Sequence, residues 1–536
     1  METITPRLSN RQKKNLFILL GMGLAVFILS AFPNARGAKT EHMLWVLSRD
    51  ESFQYPFLTA MLTPTGSLLE SLKRFLSYQH YIYGYPFYLL STLAVLPSRL
   101  IFGGDFASQV QLNLLLLRQL VSVLPMLTAL GFLTYLTTRL ENTYKSVALF
   151  AFLVSVQGVT RQNLQWWHPD AFTFLMIVLT FFFLDRDQLR FGRHFYWAAV
   201  ACGLAAATKV IGVFFFLAIP LYLVVGLRQR KINLKKAFRA AVLFVLLMVI
   251  VVVVTNPLLL VSHTRASIIA VHRAHSDEFY KGWGAGDQYQ LGFLAWIPVL
   301  TAWYGQGAFL IFGAASLLLG CFWGRRKLLH WLILSWVLPY AVYIFYSIAN
   351  KPDHYMLPVV LPMYACLFTL ADLGHTNGQI GKGETKQVQP IPPRNFLKTI
   401  LFADLTLAIV LLAMGGQFMH NLQRGQRLYR EAMVAEPLVL SCNISPSNDL
   451  DGQRVHLDAD KWYLVENFDN AVDPKVRHFL VVQGPVVVQA TPGAGQQAWG
   501  CVSEARAMFS AQERAISFKY KNPGMQVFGP DGRQVH

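Results

Sequence analysis

The sequence predicts a polytopic all-α membrane protein of about 11 transmembrane helices, followed by a small C-terminal soluble domain that is β-rich or α+β. Of the 536 residues, 54% are hydrophobic and 14% are charged. Soluble domains carry about 25% charged residues, so this composition is typical of a chain that lies largely in lipid. The net charge of +18 does not indicate a nucleic-acid partner, because Lys and Arg are spread through short loops between apolar segments.

The apolar segments define the predicted spans, since a membrane-crossing helix takes about 17–25 residues. They lie at 15–32, 118–138, 145–160, 170–185, 195–208, 210–227, 239–260, 305–323, 328–347, 355–372 and 396–417. Segment 85–102 is also apolar, but two prolines and an arginine favour an interfacial helix over a further span. The N-terminus resembles a secretory signal, yet its long apolar run and the many later spans favour a retained first helix.

The distribution of basic residues predicts the orientation. With a cytoplasmic N-terminus, the inner loops hold 22 Lys and Arg, whereas the opposing short loops hold six. Residues 1–372 then form a transmembrane domain, with a long first extracytoplasmic loop at about 33–117 that carries interfacial helices. Residues 373–395 form a cytoplasmic linker, 396–417 the last span and 418–536 an extracytoplasmic soluble domain. A bacterial inner membrane facing the periplasm fits this arrangement.

The cysteines agree with the predicted compartments. The C-terminal stretches "EPLVLSC", "KWYLVENF" and "RHFLVVQGPVVVQA" are separated by turn residues and predict strands. Cys442 and Cys501 are the only cysteines of this domain, and in an oxidising compartment we expect a structural disulfide between them. Cys202, Cys321 and Cys366 lie in predicted spans, where cysteine packs as a small hydrophobe.

Ionisable and polar residues collect at the predicted outer ends of the helices. Charges at a membrane are costly, which makes them candidates for function. The candidates are Asp50, Glu51, His80, Arg118, Arg161, His168, Asp170, Lys209, Lys351, His354 and Tyr355. Structural roles remain open for several of them. The Asp50–Glu51 pair is also compatible with a solvated loop, Asp170 with a helix cap and Lys209 with a side chain that extends to the interface.

Five short motifs occur in a characteristic order. They are "DE" at 50–51, "YGYPFYLL" before the second span, "WWHPDAF" at the start of the fourth, "GLAAATK" at the end of the fifth and "NKPDHYMLPVVLP" at the start of the tenth. Each motif is short, but their order over about residues 10–372 resembles the GT-C glycosyltransferases. The resemblance is strongest to the protein O-mannosyltransferase and lipid A aminoarabinose transferase branch, which is glycosyltransferase family 39-like.

The resemblance implies a catalytic transmembrane domain that works at the extracytoplasmic face. Such enzymes move a sugar, here a hexose or pentose, from a polyprenyl-phosphate donor to an acceptor hydroxyl, usually with inversion. The acceptor is a membrane lipid, a glycan or a protein. By its place in the motif, Asp50 is the general base, and Glu51 orients the acceptor or a nearby cation.

The same resemblance assigns the donor phosphate to a set of cations and polar groups. Lys351, His354 and Tyr355 match the phosphate-binding helix start, and the remaining donor candidates are His80, Arg118, Arg161, His168, Asp170 and Lys209. The chain departs from the family at two of these positions. His80 stands where relatives often have Lys, and His354 where many have Arg.

No cofactor is expected to be required. If a divalent cation is used, Asp50 and Asp170 would share it with the donor phosphate.

Two other function classes stay open at this point. A flippase for a lipid-linked sugar would suit the number of spans and the basic inner loops, but the halves show no internal repeat and Asp404 is the exception among few mid-span charges. An oligosaccharide polymerase or ligase would share donor and compartment. An essential outer-loop Arg/His pair, with Asp50 dispensable, would indicate that class.

Overall fold

The computed structural model describes most of the membrane-type region and the strands of the C-terminal region. The described residues are 8–36, 49–164, 166–281, 290–373, 393–434, 439–442, 454–457, 462–468, 478–483, 486–490, 498–504 and 525–528. The chain forms two compact units, Met1–Ala31 with Phe53–Gly425, and Phe32–Ser52 with Gln426–His536. The division near residue 425 differs by a few residues from the predicted boundary at 418, and the second unit also takes in part of the predicted first loop. The predicted linker at 373–395 lies almost wholly outside the described residues.

Helices build the first unit. They are α1 (Asn10–Arg36), α2 (Arg49–Leu62), α3 (Leu68–Leu76), α4 (Tyr85–Phe102), α5 (Val110–Leu117), α6 (Leu124–Thr138), α7 (Thr143–Ser155), α8 (Gln157–Asn163), α9 (Asp170–Asp187), α10 (Arg193–Thr208), α11 (Ala218–Arg228), α12 (Leu234–Thr255), α13 (Ser262–Lys281), α14 (Phe293–Trp303), α15 (Gly307–Trp323), α16 (Lys327–Ser347), α17 (Leu357–Ala365), α18 (Thr369–Leu373) and α19 (Pro393–Val434). Short 3₁₀ turns lie at Gly103–Ser108, Val210–Leu217, Pro257–Leu260 and Asp353–Met356. A π-helical segment, Arg118–Val123, joins α5 to α6.

The helices confirm a polytopic helical membrane protein. Within the described residues, eight helices are long and apolar enough to cross a membrane, or nine if the bent pair α14 and α15 is one span. The predicted spans at 145–160, 170–185 and 195–208 coincide with helices, but none of these helices is among the eight. By length and composition, Tyr85–Ser108 also qualifies as a span, so the interfacial placement of segment 85–102 stays a prediction.

Small residues allow α10 to pack closely between its neighbours α9 and α12. Ala198, Ala201, Cys202 and Ala205 are all buried on α10. At Gly203 an added Cβ would lie 2.9 Å from the carbonyl oxygen of Met248 on α12. Close approach at small residues is a common way to pack membrane helices, and it fixes α10 against the helix that begins at Asp170.

The C-terminal region is β-structured, as predicted. Its strands are β1 (Val439–Cys442), β2 (Arg454–Leu457), β3 (Trp462–Phe468), β4 (His478–Gln483), β5 (Val486–Ala490), β6 (Ala498–Glu504) and β7 (Met525–Phe528). One antiparallel sheet has the order β1-β6-β3-β4 and another the order β2-β5-β7. The β1–β6 register places Cys442 opposite Cys501. Opposed residues of antiparallel strands are about 4.5–5.5 Å apart at Cα, a separation that a disulfide spans, so the register is compatible with the predicted bond.

Candidate active site

Three helix ends meet around one carboxylate, that of Asp170. Asp170 is the first residue of α9, Lys209 directly follows α10, and His354 lies in the 3₁₀ turn that precedes α17. A short turn joins α9 to α10 and the two helices pack together, so the start of α9 lies beside the end of α10. Pro169 occupies the N-cap position, and an acidic residue in the first turn suits the positive end of the helix dipole.

The Asp170 carboxylate is 5% exposed and meets three nitrogen groups. Its Oδ1 accepts a hydrogen bond of 2.6 Å from the Lys209 ammonium. Its Oδ2 lies 2.7 Å from Nδ1 of His168 and 3.5 Å from Nε2 of His354. Pro169 occupies the N-cap position without a side-chain capping bond, and Asp170 is the first helical residue after it. Lys209 is buried and ion-paired with Asp170.

A second ion pair adjoins the first. Arg161 at the end of α8 donates to Oδ1 of Asp353 at 2.7 Å, and Nδ1 of His354 lies 3.9 Å from the same oxygen. The hydroxyl of Tyr304 donates to the backbone carbonyl of Asp353 at 2.6 Å. We call the set Arg161, His168, Asp170, Lys209, Asp353 and His354 the Asp170 cluster. Two cations balance two carboxylates there, which meets the requirement that buried charges be paired.

Aromatic rings enclose the Asp170 cluster. Trp166 stacks on the His168 ring with centroids 4.4 Å apart. The Arg161 guanidinium lies 5.1 Å from the Trp166 ring centroid and 4.9 Å from that of Trp303. The Lys209 ammonium lies 4.5 Å from the Tyr355 ring centroid. These distances are within the range of cation–π attraction, which adds to the stabilisation of both cations.

His168 is held as a neutral imidazole. Burial is the largest effect and lowers its pKa below 6.5; Asp170 opposes this shift, and Lys209 and His354 reinforce it. Its Nε2 lies 2.7 Å from the hydroxyl of Tyr83. A neutral imidazole carries one N–H, so Nε2 of His168 either accepts from the Tyr83 hydroxyl or donates to it.

The "YGYPFYLL" motif packs against the end of α10. The amide of Gly84 donates to the carbonyl of Thr208 at 2.8 Å. A Cβ at Gly84 would lie 1.5 Å from the carbonyl oxygen of Ala207, so glycine is required for this backbone contact. Asn256 secures both segments, since it accepts from the Tyr85 amide at 2.7 Å and donates to Ala207 at 3.3 Å.

His80 contacts Tyr83, which in turn contacts His168 of the Asp170 cluster. The ring centroids of His80 and Tyr83 are 5.7 Å apart. The Nδ1 of His80 is 2.5 Å from the Tyr88 hydroxyl. The Lys351 ammonium donates to the carbonyls of Gln290 and Ala349 at 2.8 and 2.9 Å.

The other predicted site residues are placed as follows. Arg118 is fully buried in the π-helical segment. Asp50 and Glu51 form the first turn of α2 and belong to the second unit, where Asp50 is exposed and Glu51 is buried. Their catalytic roles stay predictions.

The Asp170 cluster also offers metal ligands. Ligand atoms of His168, Asp170 and His354 lie within 4.8 Å of one another. Two imidazoles and a carboxylate suit a transition metal, but the Lys209 ammonium already holds the Asp170 carboxylate and would repel a cation. The local charge therefore fits a polar or anionic ligand better than a metal.

Sequence reasoning did not single out Asp353, Tyr83 or Tyr304. Asp353 lies in the quoted motif at 350–358, and the need to balance the charge of nearby cations was the signal that could have identified it. Lys209 and Arg161 are two cations of the cluster that two carboxylates would balance, and Asp170 supplies one of them.

The fold and site define a multi-pass helical membrane protein with a buried, ionised cluster at one end of its helices. No family model matches the chain, and no curated protein matches it. Among solved structures, the chain is similar to ArnT from Cupriavidus metallidurans in the apo state, with 14% identity and a TM-score of 0.39. The match covers 72% of this chain and 61% of that chain, so it spans less than two thirds of ArnT.

Proposed function

We propose that the protein is a GT-C-type glycosyltransferase that takes a sugar from a polyprenyl-phosphate donor and passes it to an acceptor hydroxyl at the extracytoplasmic membrane face. The observation that carries this proposal is the meeting of four sequence motifs in one place. Asp170 comes from "WWHPDAF", Lys209 from "GLAAATK", His354 from "NKPDHYMLPVVLP", and Tyr83 is the first residue of "YGYPFYLL".

The chemistry of the Asp170 cluster supports a site for a phosphate leaving group. Lys209 is a buried cation, and burial strengthens its stabilisation of developing negative charge; Arg161 is a second, partly exposed cation of the same cluster. His354 is the least buried of the imidazoles and contacts both carboxylates. An arriving phosphate would compete with the carboxylates for these donors, and the cluster would rearrange around it.

Asp50 is the proposed general base, with Glu51 orienting the acceptor. Asp50 stands exposed in the first turn of α2, so its carboxylate is accessible to an acceptor. A general base of this kind typically contributes about 10²–10⁴-fold to a rate.

Label transfer from radiolabelled polyprenyl-phosphate sugars, by protein purified in lipid and mixed with membrane extract, tests the proposal. Asp50→Asn should lower transfer at least about 100-fold. The matched control is Asp105→Asn, an exposed carboxylate in the same predicted loop, which should transfer as wild type does.

The identity of the labelled product assigns the acceptor. Equal transfer by Asp50→Asn and wild type would remove Asp50 from the mechanism. Carrier movement across vesicles without any transfer by wild type would replace the transferase with a flippase.

A further inference from the structure

The end of α9 opposite Asp170 borders a large cavity of about 1480 Å³. It lies between α1 on one side and α6 and α9 on the other. Small-molecule pockets occupy roughly 300–1,000 Å³, so this space suits a larger, elongated ligand.

Apolar side chains form most of the cavity wall. From α1 come Leu16, Leu19, Leu20, Leu24 and Phe27, and from α6 come Leu124, Leu127 and Phe132. Leu20 and Leu24 line the cavity and are 57% and 59% exposed. Hydrocarbon chains are the ligand chemistry that such a wall stabilises.

Arginines surround the other end of the cavity. Asp185, in the last turn of α9, pairs with both Arg139 and Arg326, and we call these three residues the Asp185 cluster. The nearby carboxylate of Asp187 is also satisfied internally. It accepts from the Tyr222 hydroxyl at 2.7 Å and from the amides of Phe191 and Gly192 at 2.8 and 2.9 Å.

Three further lining arginines carry charge that these carboxylates do not neutralise. Arg186, Arg190 and Arg193 line the cavity, and none of them pairs with a carboxylate of the described residues. Arg190 and Arg193 are exposed at the turn between α9 and α10. Guanidinium groups bind phosphate oxygens bidentately, which makes this end an anion site joined to an apolar groove.

We propose that the cavity binds an anionic phospholipid, with its chains between α1 and α6 and its phosphate at Arg186, Arg190 and Arg193. Basic pockets between membrane helices on the cytoplasmic side take anionic head groups, and the charge pattern predicts this end to be cytoplasmic. A zwitterionic phospholipid presents the same phosphate but adds an ammonium that the arginines repel. The lipid site is separate from the Asp170 cluster and does not depend on the proposed transfer reaction.

Native mass spectrometry of the full-length protein tests the site, using phosphatidylglycerol and phosphatidylcholine with identical chains. Wild type should retain phosphatidylglycerol in preference. The double variant Arg190→Gln, Arg193→Gln should lose about 30-fold in phosphatidylglycerol affinity. The matched control, Lys235→Gln with Lys236→Gln, removes the same charge at exposed positions outside the cavity and should bind as wild type does.

A second pair of variants tests the apolar groove. Gly131 lines the cavity on α6, and a Cβ there meets nothing within 4 Å, so Gly131→Leu projects a side chain into the groove without strain. It should weaken phosphatidylglycerol binding, whereas Gly21→Leu on α1, outside the lining, should not. Equal retention of the two lipids by wild type would overturn the proposal. So would identical behaviour of the two charge variants, or wild-type binding by Gly131→Leu.

Discussion

Helix α9 carries a buried aspartate at each end, and the two ends are built differently. Asp170 and Asp185 are both 5% exposed. Asp170 meets one ammonium and two imidazoles, whereas Asp185 meets two guanidinium groups. A guanidinium keeps its charge at every relevant pH, but an imidazole gains or loses a proton near neutrality. The ion pairs at the Asp185 end therefore persist over the relevant pH range, whereas the imidazoles at the Asp170 end are groups of a type that can take up or release a proton.

The surroundings of the two ends differ in the same sense. Stacked aromatic rings enclose the Asp170 cluster, and its charges balance within the protein. The Asp185 cluster is followed by exposed arginines, so its excess charge faces the outside. A buried, balanced and titratable site is the kind in which chemistry is expected, and an exposed basic rim is the kind that attracts anionic surfaces.

The largest expected effect is on transfer at the Asp170 end. Lys209→Met removes a buried cation of the Asp170 cluster, the proposed site of the leaving group, and should lower the transfer rate per folded molecule by roughly 10²–10³. Lys145→Met is the matched control, since Lys145 is a cation outside both clusters that lies 5.9 Å from the Phe368 ring centroid. Equal losses in the two variants would mean that Lys209 acts on transfer only through general destabilisation.

At the other end the expected effect is on stability. Asp185→Asn leaves two guanidinium groups facing each other and should lower the free energy of unfolding by about 3 kcal/mol. We use the lower end of the range for breaking a buried ion pair, because the side chains of Arg139 and Arg326 are 24% and 22% exposed. Denaturant unfolding in detergent measures it. The free energy of unfolding of Asp105→Asn, a change at an exposed carboxylate, should stay within about 0.5 kcal/mol of the wild-type value. An equally small change in Asp185→Asn would contradict a stabilising role for the Asp185 ion pairs.

A smaller effect is expected from the hydrogen bond behind His168. Tyr83→Phe removes the hydroxyl 2.7 Å from Nε2 and should lower the free energy of unfolding by about 1 kcal/mol. Tyr81→Phe is the comparison, because within the described residues its hydroxyl makes no hydrogen bond. Unfolding curves that coincide for the two variants would show that the Tyr83 hydroxyl does not support the imidazole.

The smallest expected effect is a pH dependence confined to the Asp170 end. His168 has a pKa of 6.5 when unfolded and a lower one when folded, because it is buried. The unfolded state therefore takes up the proton first as pH falls. The contribution of His168 to the free energy of unfolding is therefore complete above pH 6.5. It declines as the pH drops toward the pKa of the folded state, by at most about 1.4 kcal/mol per pH unit.

Three neighbours complicate this titration, namely the charged Asp170 and Lys209 and the titratable His354. Unfolding measured between about pH 7 and pH 5 in wild type and His168→Gln separates them, since the variant should show a shallower loss. Parallel pH curves for the two proteins would assign the titration to another group.

Apolar length predicted the helices well and their ends less well. The segment 85–102 coincides with α4. The span predicted at 239–260 instead begins at Leu234 and ends at Thr255, because the Asn233 side chain caps the helix by accepting from the Lys236 amide. The span predicted at 396–417 is part of a 42-residue helix. Hydropathy marks where a helix is apolar, but a helix continues into polar sequence as long as its backbone bonds continue.

Within the site, the sequence predicted residues that stand at helix boundaries in recognisable motifs. His168, Asp170, Lys209 and His354 are of this kind, and the structure brings them together. Asp353 was not singled out, since its role depends on a partner 192 positions away, Arg161. Such a pairing is a property of the packed fold and not of local sequence.

The contact between Gly84 and the end of α10 has a consequence for mutagenesis of this site. Main-chain atoms form its hydrogen bond, so a changed side chain elsewhere in either segment leaves the two bonding atoms in place. Gly84→Ala is different, because the added Cβ would collide with the carbonyl of Ala207 and push apart the two segments that carry Tyr83 and Lys209.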